Sequence, residues 1–280
     1  MYSIVQKEQL NASVIRLRVA APQIAAKAQA GQFVILRVDA DGERIPLTIA
    51  DYDREAGTIT LVVQIVGATT AALSRLGVGD SLTDLVGPLG RPTETEGLSR
   101  VVVVGGGVGC AIAYPVAKKL YEQGAEVYSI TGFRSRELVI LQQEFAAVSH
   151  SLNAVTDDGS YGDKGLVTDV LRRLLEEGVR PDQVIAIGPL PMMKYVCKVT
   201  AEFEIPTVVS MNPIMIDGTG MCGGCRLTVG GQMRFACVDG PDFDGHQVDF
   251  DEAIRRSAMY REEERHAYEA ACNLFRKEVL

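Results

Sequence analysis

The chain has 280 residues, which at about 150 per domain implies roughly two domains and excludes a lone small binding module. Its 28 basic and 36 acidic side chains leave a net charge of −8, with the basic residues scattered, which argues against a nucleic-acid or anionic-membrane surface. At 47% hydrophobic and 23% charged it can build cores; no apolar run nears the ~20 residues of a membrane span, no basic-then-apolar leader opens the chain, and a cytoplasmic protein is expected.

To about residue 95 the apolar pattern is short and strand-like, over 13–19, 32–38 and 58–66. Gly, Asp and Pro break these runs, a spacing that predicts a small antiparallel barrel. After residue 98 the rhythm becomes strand, helix, strand. Strands are expected at 101–104, 127–131, 184–187 and 207–210, with helices at 111–123, 165–177 and 191–203. That alternation predicts a parallel sheet with helices on both faces. Residues 211–245 are rich in Gly, Cys and Asp and fit neither pattern, and 251–277 read as a charged helical tail of one or two helices.

In the barrel, Arg44-Ile45-Pro46-Leu47-Thr48-Ile49 places an arginine before a strand whose backbone and hydroxyl groups suit a flavin; an ordinary edge strand with a surface arginine is the plainer reading. Gly67-Ala68-Thr69-Thr70 opens a short helix whose free N–H groups and hydroxyls suit a pyrophosphate, or form a simple helix cap. The run Val101–Val104 leads into Gly105-Gly106-Gly107-Val108-Gly109 and then a helix. Such glycines let a phosphate approach bare amides at the positive end of a helix, and they also suit a close strand-to-helix crossing. Tyr114-Pro115 departs from the usual dinucleotide fingerprint. No acid follows the next strand, where Thr131-Gly132-Phe133-Arg134 stands, so NAD and NADP both stay open.

Of the six cysteines, Cys110, Cys197 and Cys272 stand apart and are expected in the core, while Cys222, Cys225 and Cys237 are clustered. With Asp217 they form Asp-x4-Cys-x2-Cys-x11-Cys, the plant-type iron–sulfur spacing with a carboxylate in place of the first thiolate. A 2Fe–2S cluster is the favoured reading. Zinc, held by the three thiolates with Asp217 or His246, competes.

The Arg-x-Pro-Leu-Thr strand, the Gly-Gly-Gly-x-Gly loop and the cysteine loop, in that order, resemble the ferredoxin-NADP reductase superfamily over essentially the whole chain. The likeness is to the branch that contains the electron-transfer subunit of dihydroorotate dehydrogenase, although those subunits generally carry a cysteine where Asp217 stands and lack the long charged tail. The resemblance implies an FAD-binding β-barrel at 1–97, an NAD(P)-binding α/β domain at 98–210, a 2Fe–2S segment at 211–250 and a helical tail at 251–280. On it, Arg44, Pro46, Leu47 and Thr48 fall on the flavin strand, and Gly67, Thr69 and Thr70 on the pyrophosphate turn. Gly105, Gly106, Gly107, Gly109, Gly132 and Arg134 fall to the nicotinamide cofactor, with Asp157, Asp158, Gly188, Pro189 and Met192 bordering its pocket. Ile187 stands where many relatives have cysteine, so no thiol is assigned to the nicotinamide. Asp217, Cys222, Cys225 and Cys237 are the implied cluster ligands.

The activity so implied runs from NADH to FAD to the cluster and on to a partner, with no acid–base residue required. The partner is a large subunit carrying a second FAD and 4Fe–4S clusters, in a heterodimer that reaches ferredoxin indirectly and bifurcates electrons. Two alternatives are an NADH-oxidising subunit for dihydroorotate dehydrogenase or sulfur reduction, and a flavin-free zinc-binding regulatory subunit. In the tail, Arg255, Arg256, Arg261, Glu262, Glu263, Glu264 and Arg265 offer a mixed-charge surface for that partner.

Overall fold

The computed structural model describes residues 2–278, with side chains to residue 270. The first sheet contains β1 (Tyr2–Asn11), β2 (Val14–Ala20), β3 (Phe33–Arg37), β4 (Ile45–Asp53), β5 (Thr58–Gln64), β6 (Ser81–Leu82) and β7 (Asp84–Leu89), with α1 (Pro22–Ala25) and α2 (Ala68–Leu73) in its connections. Its order is β6-β1-β2-β5-β4-β3-β7, antiparallel throughout. Thr83 joins the two edge strands at a corner where its hydroxyl donates to Val38 O (3.1 Å), so the sheet nearly closes on itself. Alternation drives the closure: Ile15, Leu17, Val19, Ile59, Leu61 and Val63 are all buried, in a core shared with Leu36 and Ile49.

The second sheet has the order β11-β10-β9-β8-β12-β13-β16. Its strands are β8 (Arg100–Gly106), β9 (Glu126–Phe133), β10 (Ser151–Thr156), β11 (Asp163–Lys164), β12 (Gln183–Ile187), β13 (Thr207–Ser210) and the antiparallel edge β16 (Asp242–Asp244). The intervening helices are α3 (Gly109–Glu122), α4 (Gln142–Ala147), α5 (Val167–Glu176) and α6 (Leu190–Glu202), with a 3-10 turn at Arg136–Leu138. Two cores flank this sheet: Val102, Val104 and Val184 face α5 and α6, while Val101, Val103 and Ile185 face α3 and α4. Because both faces are covered, the strands read as continuous apolar runs rather than alternating ones.

The strands β10 and β1 escape the sequence pattern. Ser151, Asn153 and the polar run Gln6–Gln9 interrupt it, since both strands bury only part of their length. A small hairpin, β14 (Arg226–Val229) and β15 (Gln232–Phe235), carries the cysteine segment, and the tail resolves into two helices, α7 (Phe250–Ser257) and α8 (Arg261–Glu278). Cys110 and Cys197 are core residues as expected; the Cys272 side chain lies outside the described residues. Among the described residues no helix is long and apolar enough to cross a membrane.

Candidate functional site

The Arg44 to Ile49 strand lies inside the sheet, not at its edge, yet half of it has an open side. Ile49 donates its N–H to Gln32 O (3.0 Å) and pairing with β3 continues to Ile45, whereas pairing with β5 stops at Ile49. Antiparallel alternation then turns the main-chain groups of Pro46 and Thr48 away from β3, toward the unpaired side. Proline has no N–H to leave unsatisfied there. The result is a short backbone edge, offering Thr48 N–H and two carbonyls, beside the exposed Arg44. The Gly67 turn lies next to it, because Thr69 Oγ1 donates to Glu43 Oε2 (3.0 Å). Thr70 closes that turn: its Oγ1 accepts from the Val66 and Gly67 N–H groups (both 3.0 Å) and donates to Gly67 O (3.0 Å). The hydroxyl expected to meet a pyrophosphate is thus the helix cap, and the amides that follow Gly67 are what the turn presents.

The glycine loop occupies the switch point of the parallel sheet. From β8 the chain moves outward to β9 and β10, then crosses back to β12 and β13, leaving a crevice at the carboxyl ends of β8 and β12. The expected residues converge there. A Cβ at Gly106 would collide with Met192 Sδ and stand 3.1 Å from Pro189 Cδ. A Cβ at Gly109 would meet Ile187 O at 2.5 Å and Gly188 Cα at 2.7 Å, one at Gly188 would meet Met192 Cε at 2.8 Å, and one at Gly132 would collide with Val167. Most of these glycines therefore allow close packing between the loops. Gly107 differs: its φ is +56°, its N–H donates to Gly132 O (2.8 Å), and a Cβ would meet nothing within 4 Å.

Around this crevice Arg134, Asp157 and Asp158 are exposed. Asp158 is committed to its own turn, accepting from Ser160 N (2.9 Å) and Ser160 Oγ (2.6 Å), which hold its carboxyl below the usual range. Beneath Gly105 lies the core thiol of Cys110: a Cβ at Gly105 would sit 2.8 Å from its Sγ. Burial pushes the Cys110 pKa far up, so this sulfur packs rather than reacts.

In the cysteine segment, Asp217 Oδ1 accepts from Thr219 N (2.8 Å) and Oδ2 from Cys222 N (2.9 Å), and these bonds keep the carboxylate ionised. Cys225 and Cys237 stand with sulfurs 3.2 Å apart and buried, while Cys222 is exposed. Burial first, then Cys225 and the Asp217 charge, pushes the Cys237 thiol up. The donors thus form two neighbouring pairs, Asp217 with Cys222 and Cys225 with Cys237. Among the described residues no three His, Cys, Asp or Glu side chains are grouped for one metal ion. Two pairs suit a two-iron centre, which takes two protein ligands at each end. His246, the other zinc candidate, faces elsewhere, with Nε2 3.0 Å from Thr200 Oγ1 on α6.

Sequence comparison matches an oxidoreductase FAD-binding domain to residues 2–93, and the iron–sulfur cluster binding domain of dihydroorotate dehydrogenase B to residues 212–249. The dihydroorotate dehydrogenase B electron transfer subunit homolog of Thermotoga maritima is 48% identical over 266 residues, covering 95% of this chain and 94% of that one. The electron transfer subunit of Streptococcus mutans is 34% identical, covering 86% and 98%. A solved chain of an NADH-dependent reduced ferredoxin-NADP oxidoreductase, studied for flavin-based electron bifurcation, is 46% identical and superposes with a TM-score of 0.91 over 96% of this chain and 97% of that one. Fold and site together define a ferredoxin reductase-type oxidoreductase subunit that takes FAD, NAD(H) and an iron–sulfur centre. The chain belongs to the family of dihydroorotate dehydrogenase B electron-transfer subunits. Its two cofactor domains set aside the flavin-free zinc subunit.

Sequence reasoning missed Glu43, which precedes Arg44 in the chain, and Val167 and Arg256, which reach the site from distant segments. Nothing in their local pattern marks them.

Proposed function

We propose that this chain is the small subunit of an electron-bifurcating NADH/ferredoxin/NADPH transhydrogenase, moving electrons between NAD(H) and a partner subunit. When bound, FAD exchanges electron pairs with the nicotinamide and the 2Fe–2S cluster moves electrons singly. The partner is a large subunit with its own FAD and 4Fe–4S clusters, through which ferredoxin is reached. The chain-long likeness to the reduced ferredoxin-NADP oxidoreductase supports this over service to dihydroorotate dehydrogenase alone.

The observation that carries the reading is the seat of the cysteine segment, packed against both nucleotide-binding halves. A Cβ at Gly218 would press on Leu89 (2.7 Å) and Ile35 (2.8 Å) of the barrel. Arg91 Nε donates to Val238 O (3.1 Å), and a Cβ at Gly245 would stand 2.5 Å from Cys197 Sγ on α6. In this reading the open β4 edge and Arg44 hold the flavin, with Pro46, Leu47 and Thr48 on its strand. The Gly67, Thr69 and Thr70 turn presents amides to its pyrophosphate, the dipole of so short a helix adding little. The Gly105–Gly109 loop with Gly132, Arg134, Asp157, Asp158, Gly188, Pro189 and Met192 borders the nicotinamide nucleotide. Asp217, Cys222, Cys225 and Cys237 hold the irons. Alignment of the cofactors is the protein's contribution.

An anaerobic NADH titration of the purified chain, followed by visible absorbance and by EPR at the end point, tests the reading. Flavin bleaching with growth of a 2Fe–2S signal is expected. Cofactor-loaded protein that stays oxidised would overturn the assignment of the glycine loop.

A further inference from the structure

We propose that Arg256, from the tail helix α7, is a positioning residue that holds the Cys222–Cys225 loop in shape and raises the reduction potential of the cluster it carries. This rests on the assignment of those cysteines as cluster ligands, and it adds a residue beyond the 212–249 span of the iron–sulfur domain match.

The loop's peptide groups are sorted by direction. Gly224 N–H points inward to Cys222 Sγ (3.5 Å), a long and weak contact. The carbonyls of Gly223 and Gly224 point outward, and each meets a guanidinium: Arg226 Nη1 donates to Gly223 O (3.1 Å) and Arg256 Nη2 to Gly224 O (3.2 Å). Arg226 is local and exposed, whereas Arg256 arrives from 32 residues away and is half-buried. Gly223 has φ +68°, a conformation that keeps the loop tight around the sulfur.

Helix α7 is seated so that Arg256 must face this loop. Asp249 caps the helix, its carboxylate accepting from Glu252 N (2.8 Å), and its own N–H donates to Thr228 O (2.9 Å). Thr228 N–H donates in turn to Glu252 Oε2 (3.1 Å), so both main-chain groups of one hairpin residue are taken by the first turn of α7. Glu252 and Arg256 are four apart and share a helix face. On the other side Lys194 of α6 pairs with Asp251 (2.6 Å), and Phe250 is buried.

Reduction adds one negative charge to the cluster. A cation half out of water beside the loop favours the reduced form, and an amide turned toward a ligand sulfur acts in the same direction. Loss of the Arg256 charge disfavours reduction directly, and loss of its hydrogen bond frees the Gly224–Cys225 peptide, which leads straight into the Cys225 ligand; the peptide that carries the Gly224 N–H is held separately, by Arg226 at Gly223 O.

The test is the midpoint potential of the cluster, from an EPR-monitored redox titration of the full-length FAD- and iron-loaded chain, with iron and sulfide assayed on the same samples. The variants are Arg256→Gln, which keeps a donor without the charge, Arg256→Met, which keeps neither, and Arg255→Gln, which removes an exposed charge from the same helix. The expected order is Arg255→Gln equal to the parent, Arg256→Gln lower and Arg256→Met lowest, with a changed EPR line shape in the last. A potential unchanged in Arg256→Gln with full iron would overturn the proposal, as would an equal drop in Arg255→Gln. Loss of the cluster from Arg256→Gln would also overturn it, by showing a purely structural requirement. A parent chain that holds no iron and sulfide would instead sink the ligand assignment itself.

Discussion

Gly106 and Met192 meet across the mouth of the crevice at the carboxyl ends of β8 and β12 so closely that a single added methyl at Gly106 would overlap the Met192 sulfur. One residue ends β8 and the other lies in the first turn of α6, so their contact closes the switch point of the parallel sheet. Gly106→Ala is therefore expected to displace the flexible Met192 thioether and to crowd Pro189 Cδ, which would stand 3.1 Å from the added methyl. Overpacking of this kind costs about 1–3 kcal/mol. Flavin reduction by NADH should slow at least tenfold in stopped-flow absorbance, while FAD and iron contents stay at the parent level.

The Thr70 hydroxyl links the Val66 and Gly67 amides to the helix that follows. Thr70→Val keeps the shape and removes those bonds. Loss of such a cap costs about 1 kcal/mol, roughly fivefold in affinity if the turn must re-form around the flavin. Fluorescence titration of the apoprotein with FAD should show that weakening.

Asp217 stands where a fourth thiolate would complete the usual ligand set, and its two oxygens already order the loop through Thr219 and Cys222. A carboxylate donates less electron density to iron than a thiolate does. Asp217→Cys should lower the cluster potential in a redox titration. Full iron and an unchanged spectrum in Asp217→Ala would identify Asp217 as a loop cap alone.

Asp242 is half-buried at the junction of the barrel, β13 and the cysteine segment, with its carboxyl turned inward, and its Oδ2 accepts from Thr93 Oγ1 (2.6 Å). Burial raises its pKa, partly offset by hydrogen bonds from Thr93 and Ser210. A carboxyl whose folded pKa exceeds its unfolded value of about 3.9 supports folding fully below that value, and the support is lost as pH rises through the folded pKa. Asp242→Asn keeps an acceptor for Thr93 without a charge. Its melting temperature relative to the parent should therefore rise between pH 4 and pH 8.

The residues proposed to choose the chemistry are legible in one dimension. Asp217, Cys222, Cys225 and Cys237 are defined by spacing, and the Gly105–Gly109 loop by its place between an apolar strand and a helix, because ligand geometry and tight turns act over a few residues. The covered strands β8, β9, β12 and β13 were legible too, as burial on both faces leaves mostly apolar runs, broken in β9 by Ser129 and Thr131. The strands β1 and β10 were not, since each is only partly buried and polar residues there cost nothing in solvent.

What the tertiary structure alone decided is how these short patterns are joined. The open side of β4 exists because β5 diverges after Ile49, a matter of sheet twist and register that no hexapeptide encodes. Within the charged tail, Asp251, Glu252 and Arg256 reach the chain's own α6, hairpin and cysteine loop, while Arg255 and the charged residues from Arg261 to Arg265 stay exposed. Local sequence determines which groups can bind, whereas contacts such as these, 24 to 57 residues apart, depend on the packing of whole elements. That packing follows from the burial of three cores together, and only their mutual fit places Arg256 beside Gly224.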